Sequence, residues 1–254
     1  MRILLITDEE WNDYVHANGV LTNWFSNFDA EFAQIYCSPG KPINSICNNY
    51  FQITDTQMAM SLFGRGKAGG AINKSTDCDA VNAEKQNAQR KGIYGILKKI
   101  SLWVHTPMMM LRDLIWCYGK YNIAALEKFV REFNPDIVFC PRLITPKLMR
   151  LERLVASMTN APFVAFTADD EASLTGFSWS PLYWLRKYYI HKSFKKHIPL
   201  YSKYLFFSEE QAKEYQDEYG VDTDILLKCG DFMSIPSVLK PVGEPIRLVY
   251  AGRL

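Results

Sequence analysis

Residues 2–7, Arg-Ile-Leu-Leu-Ile-Thr, and residues 137–140, Ile-Val-Phe-Cys, are short apolar runs without polar alternation. Runs of this length and evenness read as strands buried on both faces, as in a parallel sheet. Working outward from them, 31–37, 51–53, 162–167, 203–207 and 224–227 read as further strands. The stretches between them predict helices: 19–28, one reaching 63, 93–104, a long one from Pro107 to about Phe133, 146–158, 181–196, and one capped by Ser208 that runs to Tyr219. Asn134-Pro135-Asp136 stops the long helix. Strands alternating with helices at this spacing predict an α/β fold: a doubly wound, Rossmann-like parallel sheet with helices on both faces.

The composition fits a globular chain. Of 254 residues, 48% are apolar and 22% charged, which excludes a disordered tail or a fibrous repeat. Lys+Arg 29 against Asp+Glu 27 leaves a net charge of +2, too balanced for a protein built around a nucleic-acid backbone. The start MRILLI lacks the pattern of a secretory leader, and no apolar run is long enough to span a membrane. The expected location is the cytoplasm, with peripheral contact at the inner face of a membrane left open. Cys37, Cys47, Cys78, Cys117, Cys140 and Cys229 form no C-x-x-C pair and read as thiols. The four histidines, His16, His105, His191 and His197, lack the spacing of a zinc helix, so no metal is expected.

Two segments interrupt the alternation. Residues 64–91, GRGKAGGAINKSTDCDAVNAEKQNAQRK, are polar and Gly-rich and read as a mobile excursion within the domain. Gly64-Arg-Gly66-Lys-Ala-Gly69 spells the dinucleotide fingerprint, but that motif needs a strand before it and a helix opening inside it. Here a helix precedes and a polar stretch follows, so a loop is expected. Residues 236–245, with three prolines and a glycine, read as a linker after a first domain over 1–235. Residues 246–254, IRLVYAGRL, begin another buried strand that cannot cover its own faces. It is expected to open a second domain, with addition to the first sheet as the other possibility.

Ligands of doubly wound sheets bind beyond the carboxyl ends of strands, which directs attention to three loops. Asn18-Gly19-Val20 follows the first strand; it is either a plain helix start with Asn18 as N-cap or a place where phosphate or sugar approaches bare amides. Thr167-Ala168-Asp169-Asp170-Glu171 ends a central strand; its acids either cap a helix or face a polar substrate. Arg142, beyond the preceding strand, is a candidate partner for them or for an anionic ligand. Ile93–Tyr118, with Trp103, Trp116 and Met108–Met110, reads first as core helices and second as a membrane-interface patch. The helix bearing Arg186, Lys187, Lys192, Lys195 and Lys196 reads first as a solvated face, second as an anion-facing one.

Tyr204-Leu-Phe-Phe-Ser-Glu-Glu, Glu218-Tyr-Gly-Val and Lys228-Cys-Gly-Asp231, followed by IRLVYAGRL, resemble a stretch of GT-B fold glycosyltransferases. The likeness is to their family 4-like group of retaining sugar transferases. It implies two Rossmann-like domains, acceptor on the N-terminal one and nucleoside-diphosphate sugar mainly on the C-terminal one, with no further cofactor. By that resemblance Asn18 and Gly19 approach the donor diphosphate and Arg253 contacts it. Asp169 matches the catalytic acid of a His-Asp pair, and Arg142 and Asp170 fall on the acceptor side. The chain departs from the pattern at Ala168, where the pair has histidine, and at Pro141, where many members carry one. The family's paired glutamates belong to the second domain, so the chain is expected to be an inert N-terminal part of a transferase for a saccharide or lipid-linked acceptor. Two rival readings are a freestanding ligand-binding module and a membrane-docking interaction protein.

Overall fold

A computed structural model of the chain describes residues 1–14, 19–72, 105–141, 144–167, 174 and 178–227. The apolar run at the start is β1 (Arg2–Thr7), and Leu4, Leu5 and Ile6 are fully buried because the strand has a neighbour on each edge and cover on each face. It pairs in parallel with β2 (Glu31–Tyr36) on one side and with β5 (Ile137–Pro141) on the other. Beyond β2 lie β3 (Asn49–Gln52) and β4 (Gly70–Ile72); beyond β5 lie β6 (Phe163–Phe166), β7 (Tyr201–Phe206) and β8 (Thr223–Ile225). The order β4-β3-β2-β1-β5-β6-β7-β8 makes one sheet, parallel throughout except at β4. The chain winds outward through β2 and β3, returns past β1, and winds the other way from β5. This is the doubly wound arrangement expected from the sequence.

The helices are α1 (Val20–Phe25), α2 (Asp55–Leu62), α3 (105–118), α4 (Ile123–Phe133), α5 (Pro146–Ala156), α6 (Pro181–His197) and α7 (Glu209–Tyr219). Reversal of the winding puts them on opposite faces. One face packs Met58 of α2, Trp116 of α3, Val130 of α4, Leu151 of α5, Phe194 of α6 and Tyr215 of α7 over Leu4, Ile6, Val138, Ala165 and Tyr204. The other packs Phe25 of α1 and Trp11 over Ile3, Leu5, Phe139 and Phe166. Local chemistry sets the ends. Thr54, Thr145, Ser180 and Ser208 accept at the N-caps of α2, α5, α6 and α7, and proline occupies the first turn of α5 and α6. Gly220, at φ 68°, closes α7 in the left-handed conformation that favours glycine.

Two expectations need correction. The long helix from Pro107 is two helices, broken between 118 and 123. The Gly119 N–H bonds the Ile115 carbonyl at 2.8 Å, Tyr121 bridges to Ala68, and Asn122 caps α4. Nor is the Gly-rich segment loose along its first residues. Gly69, at φ 108°, turns the chain beneath Phe51, and β4 then adds antiparallel to β3. A helix precedes this fingerprint and an edge strand follows it, so the spelling lacks the strand-then-helix context of a dinucleotide loop. Residues 73–91 of the segment, the linker 236–245 and the strand 246–254 lie outside the described residues.

Candidate functional site

The winding reverses between β1 and β5, and the crevice outside their carboxyl ends is where such a sheet receives a ligand. Asp8, the first residue after β1, faces this crevice. Its carboxylate accepts from Lys147 Nζ and lies 3.7 Å from Arg112 Nη2. Arg112 Nε in turn lies 3.0 Å from a carboxylate oxygen of Asp55, which also accepts from the Trp116 indole N–H. Lys147 sits over the Trp116 ring, 5.4 Å from its centroid. The result is a chain of alternating charges, Lys147–Asp8–Arg112–Asp55, graded from a buried lysine (3% exposed) to a half-exposed aspartate.

The sequence dictates this grading. Lys147 falls in the first turn of α5, where the helix dipole disfavours a cation, and it is buried. A buried charge persists only when paired, so Asp8 and Lys147 hold each other in place across 139 residues. Beside them the Cys37 thiol is pushed up to about 12. Burial is the main cause, lowered by Lys147 and raised by Asp8 and Asp55. A thiol held neutral in this way is no nucleophile. The crevice is therefore a charged, polar surface suited to binding and orienting groups.

A rigid frame carries the loop after β1. Buried Gln34 of β2 accepts from the Trp11 N–H at 2.9 Å and donates to Thr7 Oγ1 at 2.7 Å and to the Glu9 carbonyl at 3.1 Å. Ser38 Oγ accepts from the Glu10 N–H at 3.1 Å and donates to the Glu10 carboxylate. Trp11 Nε1 donates to Thr22 Oγ1, which donates to Asp13, so the loop is also tied to α1. At the entry to α1 stands Gly19, at φ 72° and ψ 24°, with Asp13 the nearest group to the place of a Cβ, at 3.8 Å. The N-cap position belongs to Gly19 and not to Asn18, and its left-handed backbone favours glycine.

Of the residues singled out by sequence, Gly19 is placed at this edge. Asn18, Arg142, Asp169, Asp170 and Arg253 lie outside the described residues. β5 and β6, which precede 142 and 168–173, both end at the same edge as β1. Sequence reasoning missed Asp8, Asp55, Arg112 and Lys147. One signal was available: a lysine in the first turn of an amphipathic helix, against the dipole, asks for a carboxylate partner. A second concavity, an apolar groove of about 710 Å³, runs diagonally across the α1 face from Met1 and Ile3 past Trp24 and Phe139 to Leu205 and Leu226. Its lining is mainly apolar, with Asn23, Ser26 and Asn27 at one side, and it shares no residue with the charged crevice.

No protein-family model matches the chain, and no curated protein sequence matches it. Two solved structures are similar in part. One is an alpha,alpha-trehalose-phosphate synthase (UDP-forming) from Burkholderia vietnamiensis, 10% identical, covering 85% of this chain and 42% of the synthase, with a TM-score of 0.38. The other is Glycyrrhiza uralensis UGT73P12 complexed with glycyrrhetinic acid 3-O-monoglucuronide, 11% identical, covering 87% of this chain and 47% of that one, with a TM-score of 0.35. The chain thus spans less than half the length of either protein.

Proposed function

We propose that the chain is the acceptor-side, N-terminal part of a glycosyltransferase of GT-B type. It would help to move a sugar from a nucleoside-diphosphate donor to a saccharide or lipid-linked acceptor. The observation that carries the reading is the charged chain Lys147–Asp8–Arg112 at the switch point, with Gly19 opening α1 at the same edge of the sheet. The motif resemblance supports it: Ser208 caps α7, and Tyr219-Gly220-Val221 turns from it toward β8. In this reading Asn18, Gly19 and Arg253 hold the donor diphosphate, Arg142 and Asp170 bind the acceptor, and Asp169 orients the attacking hydroxyl. Catalysis then rests on positioning and on charge stabilisation of the leaving diphosphate, with no cofactor. In this reading residues 236–245 are the linker to a nucleotide-sugar domain beginning at 246, and residues 1–254 alone are inert.

The test uses the protein translated from its whole reading frame, supplied with labelled UDP- and GDP-sugars and a membrane and polysaccharide extract as acceptor. Gly19→Asn is the informative variant, because asparagine tolerates φ 72° yet adds a side chain beside Asp13 in the loop after β1. Transfer is expected in the parent and a loss of an order of magnitude or more in Gly19→Asn at an unchanged melting point. Absence of transfer from every donor, or undiminished transfer in the folded variant, would reject the assignment.

A further inference from the structure

The surface of α6 points to a partner that the crevice does not involve. Its inward side is Ile190, Phe194 and His197, all buried against the sheet. Its outward arc, traced at 3.6 residues per turn, runs Leu182, Leu185, Tyr188, Tyr189, Lys192, Lys195 and Lys196. Leu185, Tyr188 and Tyr189 are 58%, 57% and 53% exposed, so large apolar and aromatic groups occupy three positions where a solvated helix would place polar ones. The helix carries Arg186, Lys187, Lys192, Lys195 and Lys196 and no acidic residue, and no carboxylate among the described residues pairs with the last three.

The arc is not isolated. Arg186 Nε bonds Asp113 of α3 at 2.7 Å, locking the two helices side by side. α3 contributes exposed Met108, Leu111, Leu114 and Tyr118 at helical spacing. Trp116, one of the aromatics of the same sequence segment, is instead buried in the core, so the segment divides between core and surface. Helix-dipole compensation accounts for lysines in the last turn, but not for Lys192 or for the apolar half of the arc.

We infer that α6, with α3 beside it, is a docking surface for an anionic lipid bilayer: Leu185, Tyr188 and Tyr189 enter the interface while Lys192, Lys195 and Lys196 meet acidic headgroups. The chemistry favours lipid over other partners because the apolar half is aromatic and leucine-rich while the charged half is wholly basic, the two components of interfacial helices. The inference is independent of the transferase reading, since vesicle binding is measured without donor or acceptor.

The experiment is co-sedimentation of the 254-residue chain with phosphatidylcholine vesicles, with and without phosphatidylglycerol. Binding is expected only to the vesicles containing phosphatidylglycerol and should weaken with salt. Lys192→Gln/Lys195→Gln/Lys196→Gln should lower the partition coefficient roughly a hundredfold, at about fivefold for each lysine. Leu185→Gln/Tyr189→Gln should abolish binding while the circular dichroism melt stays that of the parent, because both side chains are exposed. No binding to phosphatidylglycerol vesicles, equal binding to both vesicle types, or binding unchanged in both variants would overturn the inference. So would dimerisation in analytical ultracentrifugation that Leu185→Gln/Tyr189→Gln abolishes, which would assign the surface to a second copy of the chain.

Discussion

Removing Asp8 tests whether the switch point is held by charge. In Asp8→Ala the ammonium of Lys147, 3% exposed, loses its partner while remaining in the first turn of α5. Stripping one member from a buried pair costs about 3–5 kcal/mol. The Asp8 side chain is 18% exposed, which places the expected loss near the lower end, about 3 kcal/mol. Replacing both partners, in Asp8→Ala/Lys147→Met, removes the buried pair altogether and is expected to lie within about 1 kcal/mol of the parent. The two sites should therefore couple by about 2 kcal/mol or more in a double-mutant cycle. Urea unfolding followed by tryptophan fluorescence reads each variant, with the midpoint moving at constant slope. A loss under about 1 kcal/mol in Asp8→Ala, or a double variant that costs the sum of the singles, would refute the reasoning.

Three other substitutions probe the frame around the crevice. Because burial holds the folded Cys37 thiol at about 12 against an ordinary 9.0, its contribution to stability is whole below pH 9 and is lost as pH rises toward 12, at about 1.4 kcal/mol per pH unit. Cys37→Ala should flatten the stability curve between pH 9 and 10, before the buried tyrosines enter, and an unchanged slope in chemical denaturation would contradict this. Gly40→Ala would drive a methyl into the Glu10 carboxylate, lowering stability by about 1–3 kcal/mol. Adding Glu10→Ala should recover most of that loss in thermal melts, and failure to recover would mean the clash lies elsewhere. Gly119→Ala meets the Ile115 carbonyl at 2.8 Å as well as Met58 Cε, so it should destabilise by a similar amount. Met58→Ala should not rescue it, because the backbone contact stays.

The sheet was legible because β1 and β5 are apolar on both faces, and a strand so composed has no place except in the middle of a covered sheet. Capped ends were equally readable: Ser208 and Tyr219 bracket the observed α7 to the residue. The break at Gly119 was not, since the apolar stripe through Ile115 and Leu126 continues across it, and only the contact with Ala68 shows why the chain turns there. β4 was hidden for another reason. Gly70-Ala71-Ile72 has no strand pattern of its own and is a strand only because the backbone of β3 offers it an edge. At the site, sequence pointed to the loops after the strands, and Gly19 stands on one. It did not yield the pair Asp8–Lys147, because a contact across 139 residues has no local signature beyond a cation set against a helix dipole.

The central claim is that ligand is received at the carboxyl edge between β1 and β5. Hydrogen–deuterium exchange of the protein translated from its whole reading frame, with UDP-glucose, UDP-N-acetylglucosamine and GDP-mannose added in turn together with a saccharide extract, measures this most directly. The account predicts slowed exchange over 7–14, 19–25 and 146–149, with no change around 159–162 and 198–202 at the opposite edge. Protection confined to that opposite edge, or no protection with any of these ligands, would contradict it.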